Sequence, residues 1–352
     1  MGRHYTLTDM RVLKQLSHWL VALAVGGASF GALAQSDSTS SATSTSSARP
    51  HKATSSRAHA KAASARRPAR PAIEPASYQS FGYAAGLHTT SDPLALRSGA
   101  VLVLDQDTHE VLYSKNPEAV LPIASLTKLM TAMVVTEANL PLDEKLSITD
   151  EDIDTEKGTH SRLTPGTQLS RGVMLHLALM SSENRAANAL GRNYPGGMSA
   201  FVEAMNAKAK ELGMLDTHYV EPTGLSSRNQ SSAHDLALLV NAAHEVPLLR
   251  EYSTTPSLDV ELGRRQVQFR TTDRLVANPN WDIGLQKTGF INEAGQCLVM
   301  QAQMAGRKFI MVLLDSAGKY SRIGDAERIR KWLMTTQNSA SSTKTATPAE
   351  AG

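Results

Sequence analysis

Two periods alternate along the chain. Short apolar runs at Ala100–Leu104 and Val111–Tyr113 have the length of strands, and the polar stretch Asp105-Gln106-Asp107-Thr108-His109-Glu110 between them reads as a hairpin link. The period then lengthens to that of a helix. From Ser125 to about Ala138, Leu126, Leu129, Met130 and Met133 fall on one face. Helical spacing recurs at Arg171–Leu179, Arg185–Leu190, Ser199–Leu212 and Ala233–His244. Gly213 suits a C-terminal cap and Ser232 an N-terminal one. Strand-like runs return at Ile283–Phe290, Gln296–Met304 and Lys308–Leu314, the last two joined by the tight link Ala305-Gly306-Arg307. An amphipathic helix, Ile323–Met334, closes the pattern.

Strands therefore sit at both ends of the patterned region, with helices between them. This predicts an α/β protein of the α+β type. One antiparallel sheet is built from both sequence ends, flanked by helices, with an all-helical subdomain inserted in the middle. The segregation of strands from helices argues against a doubly wound sheet. Ile283–Phe290 is expected near the middle of the sheet.

Outside this region the pattern fails in two different ways. Arg3, Arg11 and Lys14 precede an apolar run from Trp19 to Ala34 that ends on the small residues Ala32-Leu33-Ala34, as in a cleaved export signal. Three glycines and a serine interrupt the run, and it is short for a bilayer span. Residues 35–75 are rich in Ser, Thr, Ala, Arg and Pro. Such a chain cannot bury enough apolar surface to offset its conformational entropy. The expected organisation is a signal peptide over 1–34, a basic tether without a fold over 35–90, a folded domain over 91–336 and a polar tail over 337–352. The tether's charge suits loose contact with anionic lipid or wall polymer.

Charge changes meaning once the ends are set aside. The 352-residue chain has a formal net charge of +3, but residues 35–75 supply +5 and residues 1–34 supply +2, which leaves −4 for the rest. A mildly acidic folded region excludes nucleic acid as an expected partner. The single cysteine, Cys297, lies in an apolar run and reads as a buried hydrophobe that forms no internal disulfide.

Three short elements carry candidate chemistry. In Ser125-Leu126-Thr127-Lys128, at the start of a helix, residues i and i+3 share a face, so Lys128 can reach the Ser125 hydroxyl. A serine becomes a nucleophile when a neighbour takes its proton, and a lysine can do so when burial or nearby positive charge lowers its pKa. Ser182-Glu183-Asn184 falls on a turn between helices, where Ser182 suits proton relay to a leaving amine and Asn184 suits a substrate amide. Lys287-Thr288-Gly289 lies on a strand, where the cation and hydroxyl suit a substrate carboxylate and the glycine a close approach of substrate. Each element has a rival reading as a chance match. A second S-x-x-K, Ser316-Ala317-Gly318-Lys319, reads as a loop, and Ser227-Arg228-Asn229 repeats the spacing of the second element. His234-Asp235 reads as a helix start rather than part of a triad. No H-E-x-x-H or other zinc spacing occurs, and no cofactor is expected.

The order S-x-x-K, S-x-N, K-T-G is the signature set of penicillin-binding proteins and class A β-lactamases. From about Ser98 to Leu333 the chain resembles the low-molecular-mass penicillin-binding proteins, the D-alanyl-D-alanine carboxypeptidases and endopeptidases. The likeness rests on Pro122–Ala132, Met180–Ala187, Glu221–Ser226 and Lys287–Phe290. It implies a β-lactamase/transpeptidase-like fold and prefers Ser182 over Ser227. It also implies an oxyanion hole from the backbone N–H groups of Ser125 and Phe290. Peptidoglycan stem peptides and cross-links are the implied substrates, β-lactams the covalent inhibitors, and the periplasm the implied compartment. Glu183 replaces the Asp of the signature, and the deacylating Glu of class A β-lactamases has no match, which disfavours a β-lactamase. Little chain follows Leu333, and Glu183 precedes Arg185-Ala186-Ala187, as in the endopeptidase branch. An endopeptidase is therefore expected, with a carboxypeptidase as the alternative.

Overall fold

The computed structural model describes residues 79–344, with side chains through Thr336. The expected signal peptide and most of the expected tether lie outside the described residues.

The chain opens with a short helix, α1 (Phe81–Ala84), and the hairpin β1 (Ser98–Asp105) and β2 (Val111–Lys115). After β3 (Leu121–Pro122) comes a 3-10 turn, Ala124–Leu126, which leads into α2 (Thr127–Glu137). The middle of the chain holds the short pair β4 (Lys145–Ser147) and β5 (Gln168–Ser170), and the helices α3 (Arg171–Met180), α4 (Asn184–Arg192) and α5 (Gly197–Glu211). Strand β6 (Gln230–Ser231), α6 (Ala233–His244) and α7 (Pro247–Thr254) follow. A hairpin of β7 (Ser257–Leu262) and β8 (Arg265–Arg270) precedes the last strands, β9 (Asp282–Ile291), β10 (Gly295–Met304) and β11 (Arg307–Ser316), and then α8 (Ser321–Lys344).

The sheet is antiparallel, in the order β2-β1-β11-β10-β9, so strands from both ends of the chain meet where β1 pairs with β11. Its central strands are apolar on both faces because both faces are covered. Ala100 and Leu102 of β1 join Val312 and Leu314 of β11 in the core shared with α2 and α6. Val101 and Val103 join Met311 and Leu313 in a second core closed by Ala326, Ile329 and Leu333 of α8. Each Val, Leu, Ile or Met side chain so taken from water contributes roughly 1.5–3 kcal/mol. Ala305 and Gly306, both at positive φ, form the two-residue link between β10 and β11 that the right-handed twist of a hairpin favours. Cys297 is buried in this sheet, and burial pushes its thiol up to about 12.

Four expectations need correction. Strand β9 is an edge strand, not a central one; at Gly289 one face of it lies against the 3-10 turn that carries Ser125. The fold begins before residue 91. Ser80 caps α1, the Phe81 N–H donates to the Glu293 carbonyl, and His88 Nε2 lies 3.0 Å from the buried Asp315 carboxylate. Leu87 packs on the main core. The helix expected from Ser125 starts instead as a 3-10 turn, with Ala124 at φ +49. Finally, α8 continues to Lys344, past the boundary expected at 336, because neither Gly nor Pro falls between Gly324 and Pro348 to stop it.

Candidate active site

The site forms where three elements converge: the 3-10 turn before α2, the turn between α3 and α4, and the edge strand β9. Ser125 is half-buried at the first of these. One helical turn later, Lys128 is fully buried, and its Nζ lies 2.9 Å from Ser125 Oγ. The same Nζ donates to Asn184 Oδ1 at 2.6 Å and to the Thr223 carbonyl at 2.5 Å. All three neighbours are uncharged. Burial brings the Lys128 amine down to about 7, against the more distant pull of Glu221, Glu183 and Asp154.

A second buried lysine, Lys287 on β9, donates to Ser182 Oγ at 3.0 Å and to the Thr288 carbonyl at 2.8 Å. Burial holds it well below its ordinary value, and the charges of Lys128 and Arg322 push the same way, with Asp273 opposing. The Thr288 hydroxyl meets that of Thr272 at 2.5 Å. The two S-x-x-K and S-x-N motifs are thus joined through Lys128 and Asn184, and S-x-N is joined to K-T-G through Ser182 and Lys287.

Local backbone geometry is unusual on both sides of the site. Ala124 (φ +49) and Ser182 (φ +60) are non-glycine residues in the left-handed region, a conformation that costs roughly 1–3 kcal/mol and is held by the surrounding packing. Gly289 is required by the fold itself. A Cβ there would stand 2.9 Å from the Ile123 carbonyl oxygen and 3.2 Å from Ser125 N. The expectation that this glycine serves substrate approach is therefore joined by a structural need, since it lets β9 lie against the turn of Ser125. The side chain of Phe290 next to it is 54 % exposed.

Several site residues escaped the sequence. Glu221 collects the backbone N–H groups of Thr223 and Gly224 and the amide of Asn229, and so presents the Thr223 carbonyl to Lys128. Gly224, at φ +80, packs so closely under the Ala124–Ser125 peptide that a Cβ would fall 1.8 Å from the Ala124 oxygen. Arg322, half-buried, donates to the Gly289 carbonyl at 3.0 Å and to Gln296 Oε1. Asn184 Nδ2 is steadied by Thr159 Oγ1, itself bonded to Asp154. The Glu221–Ser226 stretch had signalled the family likeness, but contacts made by a carbonyl and a glycine leave no chemical signature in a side chain. Ser227-Arg228-Asn229 does not take the place of Ser182-Glu183-Asn184 but supports the site from behind. Asn229 is buried, and its Nδ2 donates to Thr127 Oγ1 and Glu221. Of the second S-x-x-K, Ser316 is buried against Asp325 while Lys319 is exposed.

The D-alanyl-D-alanine carboxypeptidase family model matches residues 87–318. The chain is 53 % identical over 247 residues to a D-alanyl-D-alanine endopeptidase of Pseudomonas aeruginosa, covering 70 % of this chain and 80 % of that one. It is 46 % identical over 263 residues to a D-alanyl-D-alanine endopeptidase of Escherichia coli, covering 74 % and 84 %. Among solved structures, a mutant of a Streptomyces DD-transpeptidase superposes with a TM-score of 0.64 at 26 % identity, covering 67 % of this chain and 97 % of that one. A cefotaxime-bound penicillin-binding protein of Listeria monocytogenes superposes with a TM-score of 0.59 at 30 % identity, covering 68 % and 98 %.

Proposed function

The chain belongs to the D-alanyl-D-alanine carboxypeptidase family and is a serine DD-peptidase; from this premise we propose that Ser125 is its nucleophile, Lys128 the base that activates it, and the cross-link of peptidoglycan its substrate. The observation that carries the mechanism is the surroundings of Lys128. A neutral amine has two N–H donors and one lone pair. Asn184 Oδ1 and the Thr223 carbonyl accept only, so they take the two donors. The lone pair is then left for the Ser125 hydroxyl at 2.9 Å. With the amine near pH 7, a good share is neutral under physiological conditions.

The reaction follows in balanced steps. Lys128 Nζ takes the Ser125 proton while Oγ attacks the D-alanyl carbonyl carbon. The oxyanion of the tetrahedral adduct is held by the backbone N–H groups of Ser125 and Phe290. The C–N bond then breaks, and the proton taken up by Lys128 passes by way of Ser182, which is hydrogen-bonded to Lys287, to the leaving nitrogen, so that Lys128 is neutral again. The carboxylate beside the leaving nitrogen is received by Lys287, Thr288 and the nearby Arg322. Asn184 orients the substrate amide, and Gly289 keeps the strand close to Ser125. Water then attacks the ester carbonyl and gives its proton to Lys128; the C–Oγ bond breaks, the acid product leaves, and Lys128 returns the proton to Ser125 Oγ. A β-lactam enters the same path as a covalent inhibitor.

The endopeptidase assignment draws on the two relatives of that name at 53 % and 46 % identity. A carboxypeptidase would use the same receptor, because both substrates present a carboxylate beside the scissile nitrogen. We further propose that the chain is exported to the periplasm by residues 1–34 and that residues 35–78 tether the domain, with loose contact to anionic lipid or wall polymer. Digestion of a purified cross-linked dimeric muropeptide, followed by mass spectrometry, tests the substrate. The account expects two monomers, at a rate well above D-alanine release from a monomeric pentapeptide. Release of D-alanine with the dimer left intact would make the enzyme a carboxypeptidase.

A further inference from the structure

At the end of the sheet, next to Phe290, lies a cleft of about 770 Å³ that the mechanism above does not use. Its walls come from four parts of the chain that are remote in sequence: Tyr83 of α1, Phe290 and Asn292 at the end of β9, Gln296 of β10, and Lys319 of the loop after β11. Tyr83 and Phe290 are large aromatic side chains 53 % and 54 % exposed. Lys319 belongs to the second S-x-x-K, and among the described residues it makes no ion pair; its ammonium lies 5.6 Å from the centre of the Tyr320 ring. The acid in the cleft wall, Asp315, is buried and engaged by His88. The charge offered to a ligand is therefore positive.

Direction along β9 determines what arrives there. The carboxylate receptors Lys287 and Thr288 precede Gly289, and Phe290 and Asn292 follow it. A substrate with its carboxyl end at Lys287 and its scissile carbonyl at Ser125 must run antiparallel to β9. The residues on the amino side of the attacked D-alanine then pass Phe290. At about 3.3 Å per extended residue, the chain enters the cleft within one or two residues. In a stem peptide this portion carries free carboxylates.

We propose that this cleft binds the amino-side portion of the attacked stem peptide, an extended acidic peptide, with Lys319 as receptor for one of its carboxylates and Tyr83 as an apolar wall. The proposal rests on the reading of Ser125 as nucleophile and refines its substrate specificity. Remote contacts of this kind raise turnover on full substrates and leave truncated ones unaffected.

The test compares three reactions of the full mature enzyme: hydrolysis of a cross-linked muropeptide with complete stems, hydrolysis of an N-acetyl-D-alanyl thioester that has nothing on the amino side, and acylation by benzylpenicillin. Lys319→Glu is expected to lower kcat/KM on the muropeptide about tenfold, the loss of one charge-assisted contact. The other two reactions should stay within about twofold. Lys319→Arg should retain muropeptide activity, and Tyr83→Ala should reproduce the selective loss should the glutamate variant fold poorly. An unchanged muropeptide rate in both Lys319→Glu and Tyr83→Ala, or an equal fall on all three substrates, would overturn the cleft assignment. Failure of the unaltered enzyme to react with penicillin would instead overturn the reading of Ser125, and the cleft assignment with it.

Discussion

Lys128 is buried among three neutral partners, with no carboxylate in contact. This has two consequences, one for activity and one for stability. For activity, the neutral form is the base, so the rate of acylation by benzylpenicillin should rise with pH through about 7 and then level. A profile flat from pH 5 to 9 would contradict this role. For stability, the folded amine lies below its ordinary value of 10.5, so between about 7 and 10.5 the unfolded chain binds more protons than the folded one. Stability should rise with pH across that window, and the cost of burying the charge is fully present below it. Lys128→Met should therefore lose acylation yet melt above the unaltered protein near pH 6, with the gap closing toward pH 10. The closing gap is measured by Tm at each pH. Gly224 offers a purely steric test. Gly224→Ala adds a Cβ at 1.8 Å from the Ala124 oxygen in a left-handed conformation, and it should cost at least about 2 kcal/mol and abolish penicillin labelling. Denaturant melts and labelling together check it. The convergence of Ser125, Lys128, Ser182, Asn184 and Lys287 was legible because each is a polar or charged group in a short motif. Gly224 and the Thr223 carbonyl were not, because they act through backbone.

At the scale of elements, the 3.6 and 2.0 periods located the long helices and the central strands, and Ala233–His244 has the bounds read from its pattern. The misses have physical causes. Helix α7 spans eight residues, too few for a clear period, although Pro247 marks its first turn. In β7 only Val260 and Leu262 are buried, so the alternation of Leu258, Val260 and Leu262 was diluted by exposed polar residues. The edge position of β9 depends on pairing, which no local pattern carries. The early start of the fold depends on Asp315, more than two hundred residues away, which packs against α1 and His88. A chain truncated to begin at Ser91 would strip both from a carboxylate that is 2 % exposed and at φ +50. Losing the hydrogen-bond partner of such a group costs on the order of 1–3 kcal/mol. We expect this truncation to lower Tm by several degrees, about 2–4 °C per kcal/mol lost, whereas one beginning a few residues before Gln79 should melt and label like the full chain. Equal melting of the two would place the boundary back near residue 91.

For the whole molecule, the sheet is a wall with two covered faces, and the candidate site lies along the edge that β9 leaves open. The loop between β4 and β5 reaches the end of β9. Lys157 Nζ meets Glu293 Oε1 at 2.6 Å, tying the loop that steadies Asn184 to the turn that follows Phe290. Both partners are about a quarter exposed, so the pair is worth less than about 1 kcal/mol and Lys157→Ala should shift Tm by only a few degrees. The claim on which everything else depends is the covalent one. Intact-protein mass spectrometry after incubation with benzylpenicillin, followed by peptide mapping, tests it most directly. The account predicts a single adduct of the mass of the whole antibiotic, located on Ser125 and missing in Ser125→Ala. An adduct on any other residue, or full labelling of Ser125→Ala, would contradict it.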